Sequence, residues 1–204
     1  MTNPAAGPAP GALDVLFVCT ANISRSPFAE YAARALLAGN GVTGNRLTGD
    51  GLTCNGQRLR VASAGTHGWD AHPVDGHMAA ELAVRDLDHT DFRSRRLLGH
   101  HVQQADLVLT MEAAQRTYVL QEWPAAIRRV YTLGQFAKAL RSIEDRLTGQ
   151  ALLKELRRAQ PTARPEDDVV DPYGRGAAAA AAAAHQIEDL LVRIVPMLPR
   201  LSAS

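Results

Sequence analysis

The stretch Val18-Cys19-Thr20-Ala21-Asn22-Ile23-Ser24-Arg25-Ser26-Pro27 restricts what this chain can fold into more than any other part of it. An apolar run, Val15-Leu16-Phe17-Val18, leads in and an amphipathic segment opening with Ser-Pro leads out, so the pattern predicts a loop between a buried strand and a helix. Amides of a tight loop, together with the unpaired amides of a helix's first turn, converge on one point and favour negative charge there. A cysteine at the start of such a loop is favoured as the thiolate, its nucleophilic form. Arg25 adds a planar fork of donors that matches two oxygens of one phosphate and does not lose its charge. Ser26 has two uses open to it, capping the helix or giving its hydroxyl to the Cys19 sulfur as a leaving group, and Pro27 at the first helical position suits both. Phosphate or another oxyanion is the guest this loop predicts.

Charge sets the partners. Lys and Arg total 22 against 21 for Asp and Glu, which leaves no electrostatic footprint for nucleic acid or an anionic membrane. There is no charged-then-apolar leader and no apolar run of transmembrane length, and with two cysteines, one of them needed as a thiolate, a disulfide framework is not expected. The expected location is cytoplasmic. His67, His72 and His77 repeat at a spacing of five rather than the i, i+4 of a helical metal pair, so no metal site is expected and no cofactor is called for.

Taken in order, residues 1–12 are small and proline-rich and read as a disordered lead-in to a single domain over 13–204. Strand one covers about 13–18, and the next helix places Phe28, Tyr31, Ala32, Ala35 and Leu36 on one stripe. Residues 40–59 have neither helical nor strand period and read as an inserted loop or hairpin, in which Cys54 is a bystander. Strand two, Arg60-Val61-Ala62-Ser63, delivers Ala64-Gly65-Thr66 to the carboxyl edge of the sheet, where open α/β sheets bind ligands. Arg93-Ser94-Arg95-Arg96 is a basic segment expected to form a solvated face. Strand three spans about 106–111 and strand four Arg129–Leu133. A second insertion, about 134–168, carries Phe136, Leu140, Ile143 and Leu147 at helical spacing, broken by Gly149 and resumed by Leu152, Leu153 and Leu156. Pro172 keeps Asp171 out of a helix so that its carboxyl can project from a loop, with Asp167 and Asp168 as rivals for the same work. An alanine tract opens the last helix, stopped by Pro196. The sum is an α/β chain with a four-stranded parallel sheet and helices on both faces.

The Cys19–Pro27 stretch resembles the phosphate loop of the low-molecular-weight protein tyrosine phosphatases. Ser63-Ala64-Gly65-Thr66, Ala105–Glu112 and Asp171-Pro172-Tyr173-Gly174 resemble that family's second strand, third strand and acid loop, in the same order. The resemblance implies a flavodoxin-like fold and hydrolysis of phosphotyrosine in proteins, with Cys19 as nucleophile, Arg25 as phosphate clamp and Asp171 as general acid and base. It implies that Thr20, Ala21, Asn22, Ile23, Ser24, Ser26 and Ser63 build the phosphate cradle, and that Trp69 and Tyr173 wall in the tyrosyl ring. Ala21 stands where the family usually has glycine, Ser24 where it often has a second cysteine, and Phe92 where many members have a histidine supporting the asparagine–serine network. A tyrosine-phosphorylated protein is the implied partner, with a bacterial tyrosine kinase as one such protein by analogy. Arsenate reduction with a small-molecule thiol, phosphoarginine hydrolysis and a catalytically weak phosphoprotein-binding module are the rival readings.

Overall fold

Strict alternation along the first strand decides how the layers assemble. In β1 (Ala12–Cys19), Leu13, Val15, Phe17 and Cys19 pack into one apolar cluster, while Leu16 and Val18 pack into another on the opposite face. A strand buried on both faces belongs in the middle of a parallel sheet, and β1 is there. The computed structural model describes residues 12–39, 52–54, 57–143 and 146–202. The expected disordered lead-in, most of the 40–59 loop and the side chain of Cys54 lie outside the described residues.

After β1 come α1 (Arg25–Gly39), β2 (Leu52–Cys54), β3 (Gln57–Gly65), α2 (Gly76–Ala83), α3 (Gly99–Gln104), β4 (Leu107–Thr110) and α4 (Ala113–Glu122). Then follow β5 (Val130–Thr132), α5 (Leu133–Leu140), α6 (Gly149–Arg158), α7 (Gly176–Ile194) and α8 (Leu198–Ser202). The sheet order is β2-β3-β1-β4-β5. The four strands β3, β1, β4 and β5 run parallel, as the sequence predicts, and β2 adds a short antiparallel edge that pairs Leu52 with Leu59. The chain crosses from β3 on one side of β1 to β4 on the other, so the topological switch falls at the carboxyl end of β1, at Cys19.

The larger cluster unites α1, α2, α5, α7 and α8 with one sheet face, and the smaller one sets Val102 of α3 and Val119 of α4 against the other. Two helical stripes differ from expectation. On α1 the buried apolar side chains are Pro27, Phe28, Ala29, Ala32, Ala33 and Leu37, with Tyr31 and Leu36 of the expected stripe packed against the same cluster in part, whereas Ala35 is exposed, because α7 packs beside this helix and turns the contact face. The second insertion is not one broken helix. A turn ends α5 at Leu140, and Ile143 and Leu147 lie in the connection before α6 starts at Gly149. Among the described residues no helix is long and apolar enough to cross a membrane.

Candidate active site

The loop after β1 is shaped by where its carbonyls go. Cys19 O accepts from Thr66 N at 2.9 Å, Thr20 O from His67 N at 2.9 Å, Ala21 O from Trp69 N at 3.4 Å, Ile23 O from Asp75 N at 2.6 Å and Ser24 O from Phe28 N at 3.2 Å. In a trans peptide the carbonyl and the following N–H point in opposite directions. With these carbonyls committed to the segment outside the loop and to α1, the amides of Thr20, Ala21, Asn22, Ser24 and Arg25 turn the other way, into the loop. Gly65 makes the close approach feasible, since a Cβ there would sit 2.6 Å from Thr20 O.

Asn22 holds the loop's shape from inside. It is fully buried and left-handed, at φ 58°, a conformation asparagine tolerates better than most residues. Its Nδ2 donates to Ser26 Oγ at 3.0 Å and Ser63 Oγ at 2.9 Å, its Oδ1 accepts from Arg95 N at 2.9 Å, and its backbone N–H donates to Cys19 Sγ at 3.3 Å. Because Ser26 Oγ accepts from Asn22, its own proton is free for Cys19 Sγ, 2.9 Å away. Of the two uses open to Ser26, the hydroxyl therefore goes to sulfur. Ser63 Oγ in turn donates to Glu30 Oε2 at 2.6 Å, and Glu30 Oε1 pairs with Arg34 at 2.5 Å.

This chain of donors ends on Glu30, which the sequence reading does not single out. Its signal was a carboxylate four residues after Ser26 on the buried side of α1, beside Phe28 and Ala29. Phe92 takes no part. It is buried edge-to-face on Tyr31 at 6.2 Å, and Glu30 with the Arg95 amide supports the network instead.

Arg25 is 2% exposed and carries the contacts that join the two halves of the site. Its Nη1 pairs with Glu112 Oε1 and donates to Val169 O at 2.8 Å, and its Nη2 lies 3.1 Å from Asp171 Oδ2. Its Nε is buried with no protein partner. A buried guanidinium donor without a protein partner, at the end of a loop that starts at a thiol and turns its amides inward, is a fitted place for an oxyanion oxygen. Glu112 is a second residue that the sequence reading placed only as the end of a strand. It follows β4 at the same sheet edge as the loop, and Gln115 braces that turn by accepting from Met111 N and Glu112 N while donating to Thr20 Oγ1 at 3.1 Å.

The three rival carboxyls have different surroundings. Asp167 is paired with Lys138 at 2.8 Å and packs on Gly134, away from the loop. Asp168 accepts from Ala113 N at 2.8 Å, and burial raises its pKa above the usual carboxylate value. Asp171 alone of the three reaches the Arg25 guanidinium, with a side chain half exposed at 50%. Tyr173 follows it, held by a bond from its N–H to Asp171 Oδ1 at 3.3 Å. Trp69, 47% exposed rather than buried in the core, meets Tyr173 edge-on at 6.3 Å. Ile23 is buried and the Ser24 hydroxyl is buried with no protein partner. His67, His72 and His77 form no metal-binding group among the described residues.

Residues 14–150 match the family model of the low molecular weight phosphotyrosine protein phosphatases. The chain belongs to that family. It is 30% identical over 121 residues to a probable low molecular weight protein-tyrosine-phosphatase, EpsP, of Ralstonia nicotianae, covering 59% of this chain and 70% of the relative. Its fold is similar to that of the YwlE arginine phosphatase from Geobacillus stearothermophilus, with a TM-score of 0.66, 23% identity and coverage of 91% and 92% of the two chains. It is also similar to Vibrio vulnificus Wzb in complex with benzylphosphonate, with a TM-score of 0.63, 21% identity and coverage of 90% and 97%. The phosphatase family model ends before the segment that bears Asp171, so the reading of that loop depends on its geometry.

Proposed function

We propose that this phosphatase hydrolyses phosphotyrosine in proteins through a phosphocysteine intermediate. The observation that carries the reading is the buried, unpartnered Nε of Arg25, the residue that closes the loop opened by Cys19, together with loop amides that turn inward. A phosphoryl group seated there has its equatorial oxygens on Arg25 and the loop amides, while the Cys19 thiolate attacks phosphorus in line. The bond to the tyrosyl oxygen breaks as Asp171 delivers its proton to that oxygen. The Ser26 hydroxyl stabilises the sulfur when it leaves in the second half-reaction. Asp171, now a carboxylate, takes a proton from the water that attacks the phosphocysteine, releasing phosphate and restoring the thiolate. Trp69 and Tyr173 supply two half-exposed faces beside Asp171, suited to the flat ring of an aryl ester.

The aromatic pair and the buried, apolar Ile23 favour an aryl phosphate over phosphoarginine. Steady-state hydrolysis of matched phosphotyrosyl and phosphoarginyl peptides, with chelator present and Cys19→Ser as control, tests the proposal. The expected result is chelator-resistant turnover of the phosphotyrosyl peptide, lost in the variant. Preference for the phosphoarginyl peptide, or oxyanion binding without turnover, overturns it, as does thiol-dependent arsenate reduction in the absence of phosphatase activity.

A further inference from the structure

The aromatic wall of the site is built directly against a basic segment, Arg93–Arg96, that has no ion-pair partner among the described residues. A Cβ at Gly68 would lie 2.5 Å from Arg95 O and 3.0 Å from Arg96 Cα, so glycine is what lets the loop bearing Trp69 sit on this backbone. Ser94 Oγ bonds Trp69 O, Ala71 N donates to Ser94 O at 2.9 Å, and Arg96 bridges Gly65 in parallel register. Ser94 is the one buried residue of the run, and Arg93, Arg95 and Arg96 on either side of it are exposed.

Partners for these charges are scarce. Arg93 Nη1 caps two backbone carbonyls, of Thr90 and Phe92, and Arg95 Nε bonds Ser63 O. Among the described residues no carboxylate forms an ion pair with any of the three arginines, although Asp70 is exposed beside Trp69 and Asp91 precedes Phe92. The chain as a whole is close to neutral, so three arginines with no ion-pair partner among the described residues, on backbone packed against the Trp69 loop, are a local feature.

From this we infer that the Arg93–Arg96 segment is a docking rail for acidic residues flanking the phosphotyrosine of the substrate protein, an inference that rests on the phosphatase reading above. A chain whose phosphotyrosyl ring lies against Trp69 passes next to this segment. Carboxylates there replace the solvent around exposed guanidinium groups, which steers encounter and adds modest, salt-sensitive affinity.

The test compares kcat/KM for two phosphotyrosyl peptides of equal length, one with Asp and Glu around the phosphotyrosine and one with Asn and Gln. A small aryl phosphate reports the state of the catalytic site. The wild type is expected to prefer the acidic peptide by about three- to tenfold at low ionic strength, with the gap closing at high salt. The R93Q/R96Q double variant removes most of the preference, and R96E, which leaves the Arg93 turn intact, lowers it too. In both variants the small substrate is hydrolysed at the wild-type rate. Equal kcat/KM for the two peptides in a wild type that turns over the aryl phosphate overturns the rail while leaving the phosphatase reading intact. A preference that survives both variants also overturns it. Failure on the aryl phosphate itself strikes the phosphatase reading first.

Discussion

The Cys19 loop and the Asp171 loop meet at the Arg25 guanidinium, yet they are held in different ways. On the Cys19 side the side chains that set the geometry are buried: Asn22, Ser26, Ser63 and Glu30 form one continuous run of hydrogen bonds ending on sulfur. On the other side Val169 is anchored by Met111 O and Arg25, and Asp168 caps the start of α4, but Asp171, Tyr173 and Trp69 stand half in solvent. In the proposed mechanism the half that meets the invariant part of the substrate, a phosphoryl group, is the pre-organised one. The half proposed to meet the variable part, a leaving group on a protein, is left open. Pre-organised donors in a buried site act on developing charge without reorganising, whereas an exposed acid can follow its substrate.

Substitutions on the two sides should therefore fail differently. The largest effect is expected for Cys19→Ser, which removes the nucleophile and abolishes turnover while leaving oxyanion binding, measured by calorimetry with phosphate or vanadate. Asp171→Asn is expected to lower kcat by about two to four orders of magnitude for a poor leaving group, and much less for an activated aryl ester that needs no proton. Asp168→Asn should stay within about tenfold, since its oxygen caps a helix rather than facing the substrate. Equal losses from the two aspartate variants would erase the distinction drawn between them.

Asn22→Ala sharpens the comparison from the buried side. It removes the side-chain bonds to Ser26, Ser63 and Arg95 and places alanine in a left-handed position, so both kcat/KM, by about ten- to hundredfold, and thermal stability should fall. Phe92→Ala separates packing from chemistry. A buried aromatic on Tyr31 is lost at a cost of about 3 kcal/mol in denaturant unfolding, with kcat nearly unchanged because no hydrogen bond of the network passes through it.

How much of this was legible in the sequence follows the same division. The strand–loop–helix around Cys19 announces itself because its determinants are local: an apolar run, a nucleophile, and a Ser-Pro helix start within ten or so residues. The four parallel strands were readable for the same reason. Glu30 and Glu112 were not singled out, since each acquires its role from a partner distant in the chain, Ser63 for the one and Arg25 for the other. Among Asp167, Asp168 and Asp171 the residue pattern alone made no choice; the family resemblance of Asp171-Pro172-Tyr173-Gly174 favoured Asp171, and the surroundings that distinguish the three are tertiary. Neighbouring carboxyls in one acidic loop look alike until Lys138 and the start of α4 take two of them. The boundary of α5 was missed because a helical stripe of leucine and isoleucine spacing continues past the turn that ends the helix.

The smallest expected effect lies outside both loops and sets the pH background against which they are measured. Burial, helped by Arg95 and His100, lowers the pKa of His101 from 6.5 to about 4, and Leu98 N donates to its Nδ1 at 3.1 Å, a bond that requires that nitrogen unprotonated. The folded state thus binds fewer protons than the unfolded chain between these two values. Stability is unaffected above about pH 6.5 and falls as the pH drops from there toward 4, by about 1 kcal/mol once solvent screening of a partly exposed ring is allowed for. His101→Gln should flatten that slope in urea titrations at several pH values.

The central claim is that turnover passes through a phosphate on the Cys19 sulfur. Acid quenching of Asp171→Asn during reaction with an activated aryl phosphate, followed by peptide mass spectrometry, tests it directly, because slowed hydrolysis lets the intermediate accumulate. The account predicts a phosphorylated peptide containing Cys19, absent in Cys19→Ser. Turnover with no phosphate on Cys19 at any time point, or phosphate carried by another residue, would contradict it.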